Sequence, residues 1–341
     1  MYEADLAIII LWTLLSVYSI LGAIDFGTGF WSMVYANHET LAGKIANRFL
    51  SPTWEVTNTF LVFLVVAVMV FFPKAAFSFA TAMFVPVTLI LVLIVLRSSL
   101  MVFSHSFEKY SKLLRIVSGI TGLLVPMLLI IVLPITEGGF ISVVDGVETL
   151  DLGKVFSSPT IYAYMLFGLA SELFLSALFL ADFSRELGSE DTYIIYRRNA
   201  LFLGPVALLM AIVALGVMDP AASWLMANLQ DKLLLFMISL FCFILGYSAL
   251  WWSLRNEKNV GWPRFAMIAI VLQYGIASFA YGSAHLPYIV YPIMTVTDGF
   301  TTVETFRTLL IVYAAGVAVL LPGFLIFWNV FLKNRSLIRE E

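Results

Sequence analysis

The sequence predicts an all-α polytopic membrane protein with nine transmembrane helices, its N-terminus outside and its C-terminus inside. Three observations predict it. Hydrophobic residues fill 61% of the 341 positions and charged residues only 12%, too apolar a balance for a surface that faces water. Apolar runs of the roughly 20 residues needed to cross a hydrocarbon core of about 30 Å recur along almost the whole chain. Lysine and arginine gather in alternate connections between those runs, which is the bias that orients membrane helices.

The first run, Leu6 to Tyr35, starts without a basic segment and continues past the length of a signal-peptide core, so it reads as a retained helix. Trp54 to Phe72, Ala75 to Phe103, Leu113 to Ile135, Thr160 to Ala181, Ala200 to Met218, Leu233 to Ser253, Trp262 to Gly282 and Thr308 to Phe331 follow. With the C-terminus cytoplasmic, 14 of the 19 basic residues fall inside, Lys74, Lys154, Lys232 and Arg307 fall outside, and Arg97 lies within a helix. Losing or merging one run would scramble that alternation. The longest connections, 136–159 and 285–307 outside and 182–199 inside, are not low-complexity, and no room remains for a large soluble domain.

A net charge of -3 with scattered basic clusters argues against a nucleic-acid surface. The lone Cys242 can form neither an internal disulfide nor a Cys-ligated metal site. The chain lacks GxxxxGK[ST], HExxH and GxSxG, so no soluble-enzyme motif assigns a reaction.

The informative residues are polar groups inside the bilayer, where a charge costs on the order of 3 kcal/mol on insertion scales and needs a partner or water. Asp25 shares a helix face with Gly22 and Gly29, small residues that admit a close neighbour. Glu55, Asn58 and Thr59 share a face near the start of the second helix, and Arg97 lies near the end of the third. All three charges sit toward the cytoplasmic side, which predicts a polar cluster of Asp25, Glu55 and Arg97. Two readings stay open: a static ion pair that locks three helices, or the mouth of a proton path. Glu172, with Gly168 and Ser176 four residues to either side, marks a bundle-facing surface of the fifth helix and is neutral, paired, beside a partner subunit, or a proton relay. His38 and His105 lie at cytoplasmic edges and His285 at the outer edge, so no histidine is placed mid-membrane for an axial haem bond. The chain alone is expected to bind no haem and no metal.

At these residues the sequence resembles the smaller subunit, subunit II, of the cytochrome bd quinol oxidases. The first helix ends in Asp25-Phe26-Gly27-Thr28-Gly29, similar to the family's Asp-Phe/Met-Gly-x-Gly signature. Pro52-Thr53-Trp54-Glu55 resembles its Pro-x-Trp-acid pattern and is followed by Asn58 and Leu61. Arg97 falls where the family has an arginine, and Asp298 in Thr297-Asp298-Gly299 is similar to its outer-loop aspartate.

The resemblance implies one integral membrane domain over 1–341, with four-helix bundles in 1–135 and 160–284 and a peripheral ninth helix at 308–332. It implies a larger partner, subunit I, carrying two b-type haems, one d-type haem and the quinol-oxidising loop, in a multi-pass complex of the bacterial cytoplasmic membrane. That complex would oxidise quinol, reduce dioxygen to water and draw protons from the cytoplasm. It leaves room for a small single-helix subunit. Carried over, Glu55 beside Trp54 is the cytoplasmic proton acceptor and Asp25 supports or conducts, whereas Asn58, Arg97 and Asp298 join Trp54 in structural polar roles. The family pattern Arg-Pro-x-x-Phe-Asp is broken here: Ser98 replaces the proline and Val102 the acid, and Glu108 is not assigned in its place. Two other functions compete: a secondary ion or metabolite transporter, which predicts interrupted helices at matching places in two halves, and a purely structural subunit.

Overall fold

A computed structural model describes residues 2–36, 41–106, 111–144, 147–253 and 260–327. Backbone N–H and C=O groups find no water in lipid, so a chain this apolar satisfies them within helices. In order these are α1 (Tyr2–Val34), α2 (Leu41–Phe71), α3 (Pro73–Ala82), α4 (Phe84–Ser106), α5 (Ser111–Ile130) and α6 (Val132–Glu137). A hairpin of β1 (Ile141–Val144) and β2 (Val147–Leu150) and a short α7 (Leu152–Ser157) lead into α8 (Pro159–Glu186) and α9 (Glu190–Gly216). A 3-10 turn at Pro220–Ala222 then precedes α10 (Ser223–Asp231), α11 (Leu233–Ala249) and α12 (Pro263–His285). The last segment holds β3 (Tyr288–Val290), β4 (Met294–Thr295), α13 (Val296–Gly299) and α14 (Val303–Phe327).

Among the described residues eight helices are long and apolar enough to cross a membrane, and α10 with α11, bent by 73°, makes a ninth. An all-α chain with eight to nine candidate membrane spans is therefore what was expected. Both hairpins, α7 and α13 follow helix ends on one side of the bundle, the loop-rich end, and among the described residues Lys44, Arg48, Arg185 and Arg264 lie near helix ends on the other, the charge-rich end. Large apolar side chains such as Val62, Leu91, Val95, Ile311 and Val319 stand exposed along α2, α4 and α14, as expected where lipid or a partner is the solvent.

The interior is organised around α1 and α8. Helix α1 packs on α2, α5 and α8, α4 packs on α5, α8 packs on α9 and α12, and α11 packs on α12. Small residues set the closest of these approaches. A Cβ on Gly27 of α1 would stand 2.9 Å from the Glu172 carbonyl of α8, and one on Gly119 of α5 would stand 3.2 Å from the Gly29 carbonyl. Helix α14 touches α1, where Arg307 pairs with Glu3 at 2.7 Å, and α2, where the Tyr313 hydroxyl donates to the Phe63 carbonyl and Gly316 faces the Phe63 ring.

Several boundaries correct the hydropathy reading, which sees apolar residues but not helical backbone. The third span is not one helix: it breaks at Met83 into α3 and α4. Helix α2 begins at Leu41, not Trp54, and the 182–199 connection shrinks to three residues between α8 and α9. In both places the helix runs on beyond its apolar stretch with charged side chains around it.

Candidate functional site

Asp25 lies nine residues before the end of α1 and Arg97 nine residues before the end of α4, so each sits about 14 Å in from the charge-rich end of its helix at roughly 1.5 Å per residue. That shared depth brings them together. Arg97 Nη1 pairs with Asp25 Oδ2 at 2.9 Å, with both side chains 2–3% exposed. Arg97 Nη2 donates to the Asp25 carbonyl at 3.3 Å, and the guanidinium stands 4.5 Å over the Phe26 ring. Gly122 of α5 lies against the same turn of α1: a Cβ there would stand 3.1 Å from the Phe26 carbonyl and in ordinary contact, 3.7 Å, with Arg97 Nε.

Glu172 of α8 is the third member. It is 1% exposed, neither carboxyl oxygen has a hydrogen-bond partner, and the charges acting on it are Arg97 and Asp25. Gly27 positions it, since only a residue without a side chain lets α1 lie this close to the Glu172 backbone. Ser176, one turn further on α8, donates to the Glu172 carbonyl at 2.8 Å and accepts from Trp31 Nε1 of α1 at 3.0 Å. The signature Asp25-Phe26-Gly27 thus supplies an acid, a ring under the arginine and a helix contact in three consecutive residues.

The site holds two acids and one base in the seam between helices of the first four predicted spans (α1, α4, α5) and a helix of the next four (α8). A carboxyl group buried without a hydrogen-bond partner carries its charge at a large cost. Among the described residues Arg97 is paired with Asp25, and neither carboxyl oxygen of Glu172 has a hydrogen-bond partner.

The sequence-predicted residues divide. Asp25 and Arg97 meet as expected, and Glu172 joins them. Glu55 is not brought into this cluster: its side chain is exposed on α2, while Trp54 and Asn58 are half-buried. Asp298 is at the other end of the molecule, in α13, where it exchanges hydrogen bonds with Thr295 in a capping box. His38 and Glu108 lie outside the described residues, as does the side chain of His105. His285 ends α12 at the loop-rich end. Among the described residues no group of three His, Cys, Asp or Glu side chains could hold a metal ion.

Sequence reasoning missed Glu137. It was read as a loop residue after Ile135, yet it ends α6 at 1% exposure, bonded to Tyr164 of α8 and Tyr281 of α12. The available signal was that an acid followed an apolar run before Gly138-Gly139, a pair whose positive φ values of 117° and 88° stop the helix directly behind it.

Comparison with known proteins extends over the same helices. A Bacillus subtilis (strain 168) relative, provisionally named cytochrome bd menaquinol oxidase subunit II, is 45% identical over 341 residues, covering 99% of this chain and 98% of its own. A chain in the structure of bd oxidase from Geobacillus thermodenitrificans superposes with a TM-score of 0.77 at 32% identity, covering 98% of this chain and 100% of that one. The sequence model of cytochrome bd terminal oxidase subunit II matches residues 4–331. With the match running through every described helix, this chain belongs to the cytochrome bd terminal oxidase subunit II family.

Proposed function

We propose that this chain is the haem-free subunit of a quinol:dioxygen oxidoreductase, supporting the haem-bearing subunit I and delivering protons from the charge-rich face through the Asp25–Arg97–Glu172 cluster. The observation that carries the reading is Glu172, a carboxyl group at 1% exposure with both oxygens unpartnered, beside an arginine already committed to Asp25. A static lock needs one acid for one base. The additional acid suits a group that takes up and passes on protons. Glu55, whose side chain is exposed on α2, is the uptake point.

Assigning the two b-type haems and the d-type haem to the partner fits the one histidine with described surroundings. His285 lies at the end of α12, packed against the rings of Trp224 at 5.4 Å and Tyr281 at 6.0 Å. Menaquinol is proposed as the electron donor because the 45% identical relative carries that quinol in its name. A transporter reading fares worse. It predicts interrupted helices at matching places in two halves, and the third and seventh spans are broken at Met83 and Lys232, but Asp25 and Glu172 stand on the unbroken α1 and α8, away from both breaks, and the family model matches residues 4–331.

Glu172→Gln in the assembled oxidase tests the proposal, because glutamine keeps the shape and removes the proton exchange. Oxygen-reduction turnover should fall by about 10²-fold or more with haem content and subunit stoichiometry unchanged. Turnover equal to the unsubstituted complex would refute a conducting role.

A further inference from the structure

Glu137 lies at the loop-rich end, remote from the cluster just described. Its Oε1 accepts hydrogen bonds from the Tyr164 hydroxyl at 2.5 Å and the Tyr281 hydroxyl at 2.5 Å, while Oε2 has no partner. None of the ion pairs among the described residues includes it. The titratable groups around it come from every neighbouring element: Tyr164 of α8, Tyr281 and His285 of α12, and Asp219 before the 3-10 turn, which Lys154 of α7 engages at 3.5 Å. Lys154 also donates to the Gly139 carbonyl at 2.7 Å.

A second orphan atom lies on the far side of Trp224 and Tyr281. His285 is 6% exposed, and its Nδ1 has no partner. Trp224 links the two residues, donating from Nε1 to the Glu137 carbonyl at 2.9 Å and packing its ring on His285. Tyr291, from the β3–β4 hairpin, stacks on Trp224 at 4.7 Å and donates its N–H to the Thr136 carbonyl at 2.9 Å. A side chain at Gly138 would come within 2.8 Å of the Tyr291 ring. One layer of side chains therefore roofs the carboxyl group against the loop-rich face.

The bonding is asymmetric in a way that serves two protonation states. With Glu137 ionised, two hydroxyls stabilise the anion through Oε1. With the proton on Oε2, Oε1 is the carbonyl oxygen and keeps both hydroxyls, so neither tyrosine has to move. A carboxyl group used only as a structural hub would engage both oxygens, because an unpaired buried polar atom costs roughly 1–3 kcal/mol.

We infer that Glu137 is a second proton-exchanging site, separate from the Asp25–Arg97–Glu172 cluster, which loads and releases a proton at Oε2 toward the loop-rich face. The proton leaves Oε2 to a water molecule and returns by the same route; no other bond changes. The ligand class is the proton, since the described residues offer no metal-binding group of three. Tyr164 and Glu172 stand eight residues apart on α8, about 12 Å along the helix, with Phe167 and Gly168 between them. The two sites are therefore not one continuous wire, and the inference does not rest on the function proposed above.

The test is pH-difference infrared spectroscopy of the assembled oxidase in membranes. A protonated-carboxyl C=O band that shifts in D2O should be present in the unsubstituted complex, vanish in Glu137→Gln and persist in Glu172→Gln. In Tyr281→Phe it should move to higher frequency, because the carbonyl oxygen loses a donor. A difference spectrum unchanged by Glu137→Gln overturns the inference, as does a band lost only with Glu172→Gln. If Glu137→Gln does not assemble, Tyr281→Phe and Tyr164→Phe decide, and a band unmoved in both rejects the site.

Discussion

Arg97 sets the charge balance of the buried site. Removing it takes from Asp25 the base it pairs with, and breaking a buried pair from one side costs about 3–5 kcal/mol, whereas replacing both partners by apolar groups of similar volume is often neutral. Arg97→Met should therefore lower thermal stability strongly, and Asp25→Leu combined with Arg97→Met should recover part of the loss. A double variant less stable than Arg97→Met alone would show that the pair is not the main interaction there. Asp25 and Arg97 were legible because a charge inside an apolar run requires compensation, and counting along two helices from a common end gave their depth. Glu55 was not, since periodicity names a helix face without naming what covers it. Glu172 was visible as an acid on a small-residue face, but its meeting with Arg97 depends on how α8 lies against α1, a long-range fact with no local signal. Glu137 was hidden because its burial comes from Tyr164, Trp224 and Tyr281, residues far along the chain.

At the scale of elements, the α1–α8 contact carries the site. A side chain at Gly27 would put its first carbon 2.3 Å from Ser176 Oγ and 2.9 Å from the Glu172 carbonyl. The helices would have to part, straining the Trp31–Ser176 bond as well. Overpacking of this kind costs about 1–3 kcal/mol, so Gly27→Val should reduce the yield of assembled complex and lower its melting temperature. Gly275, whose Cβ would meet nothing within 4 Å, provides the control: Gly275→Val should leave both near their original values. Equal effects at the two positions would contradict the packing argument. Helix identity was readable from apolar runs, but helix ends were not. Polar continuations at Leu41 and Glu190 look like loops to hydropathy, although their backbone bonds continue as helix. The third and seventh spans share a design that composition did not reveal: each starts at the loop-rich end with a short helix of ten or nine residues, α3 or α10, before a break and a longer one. That correspondence supports two bundles built on one plan.

At the scale of the whole molecule, a multi-pass membrane chain presents apolar sides, a charge-rich end and a structured loop-rich end. The β3–β4 hairpin and α13 anchor the latter: Thr301 N–H donates to the Phe71 carbonyl at 3.0 Å, tying the segment to the end of α2. The Thr295 hydroxyl and amide, with a smaller contribution from Lys74, hold the exposed Asp298 carboxyl below the ordinary carboxylate range. A depressed folded-state value means that the cap's contribution is present above the unfolded carboxylate pKa and disappears as pH falls through the folded one. Corrected for intrinsic rates, amide hydrogen exchange in α13 should accelerate on acidification in the unsubstituted protein and be fast and nearly pH-independent in Asp298→Ala. Identical acid sensitivity in the two would exclude Asp298 as the cause.

The central claim is that Glu172 moves protons and does not merely fill the seam between α1 and α8. Its most direct test is proton uptake from the charge-rich side during a single turnover of oxidase-containing vesicles, comparing Glu172→Gln, Glu172→Asp and the unsubstituted complex. The account predicts uptake slowed strongly in Glu172→Gln and partly restored in Glu172→Asp, which keeps an ionisable group. Uptake at the unsubstituted rate in a fully assembled Glu172→Gln complex would contradict it.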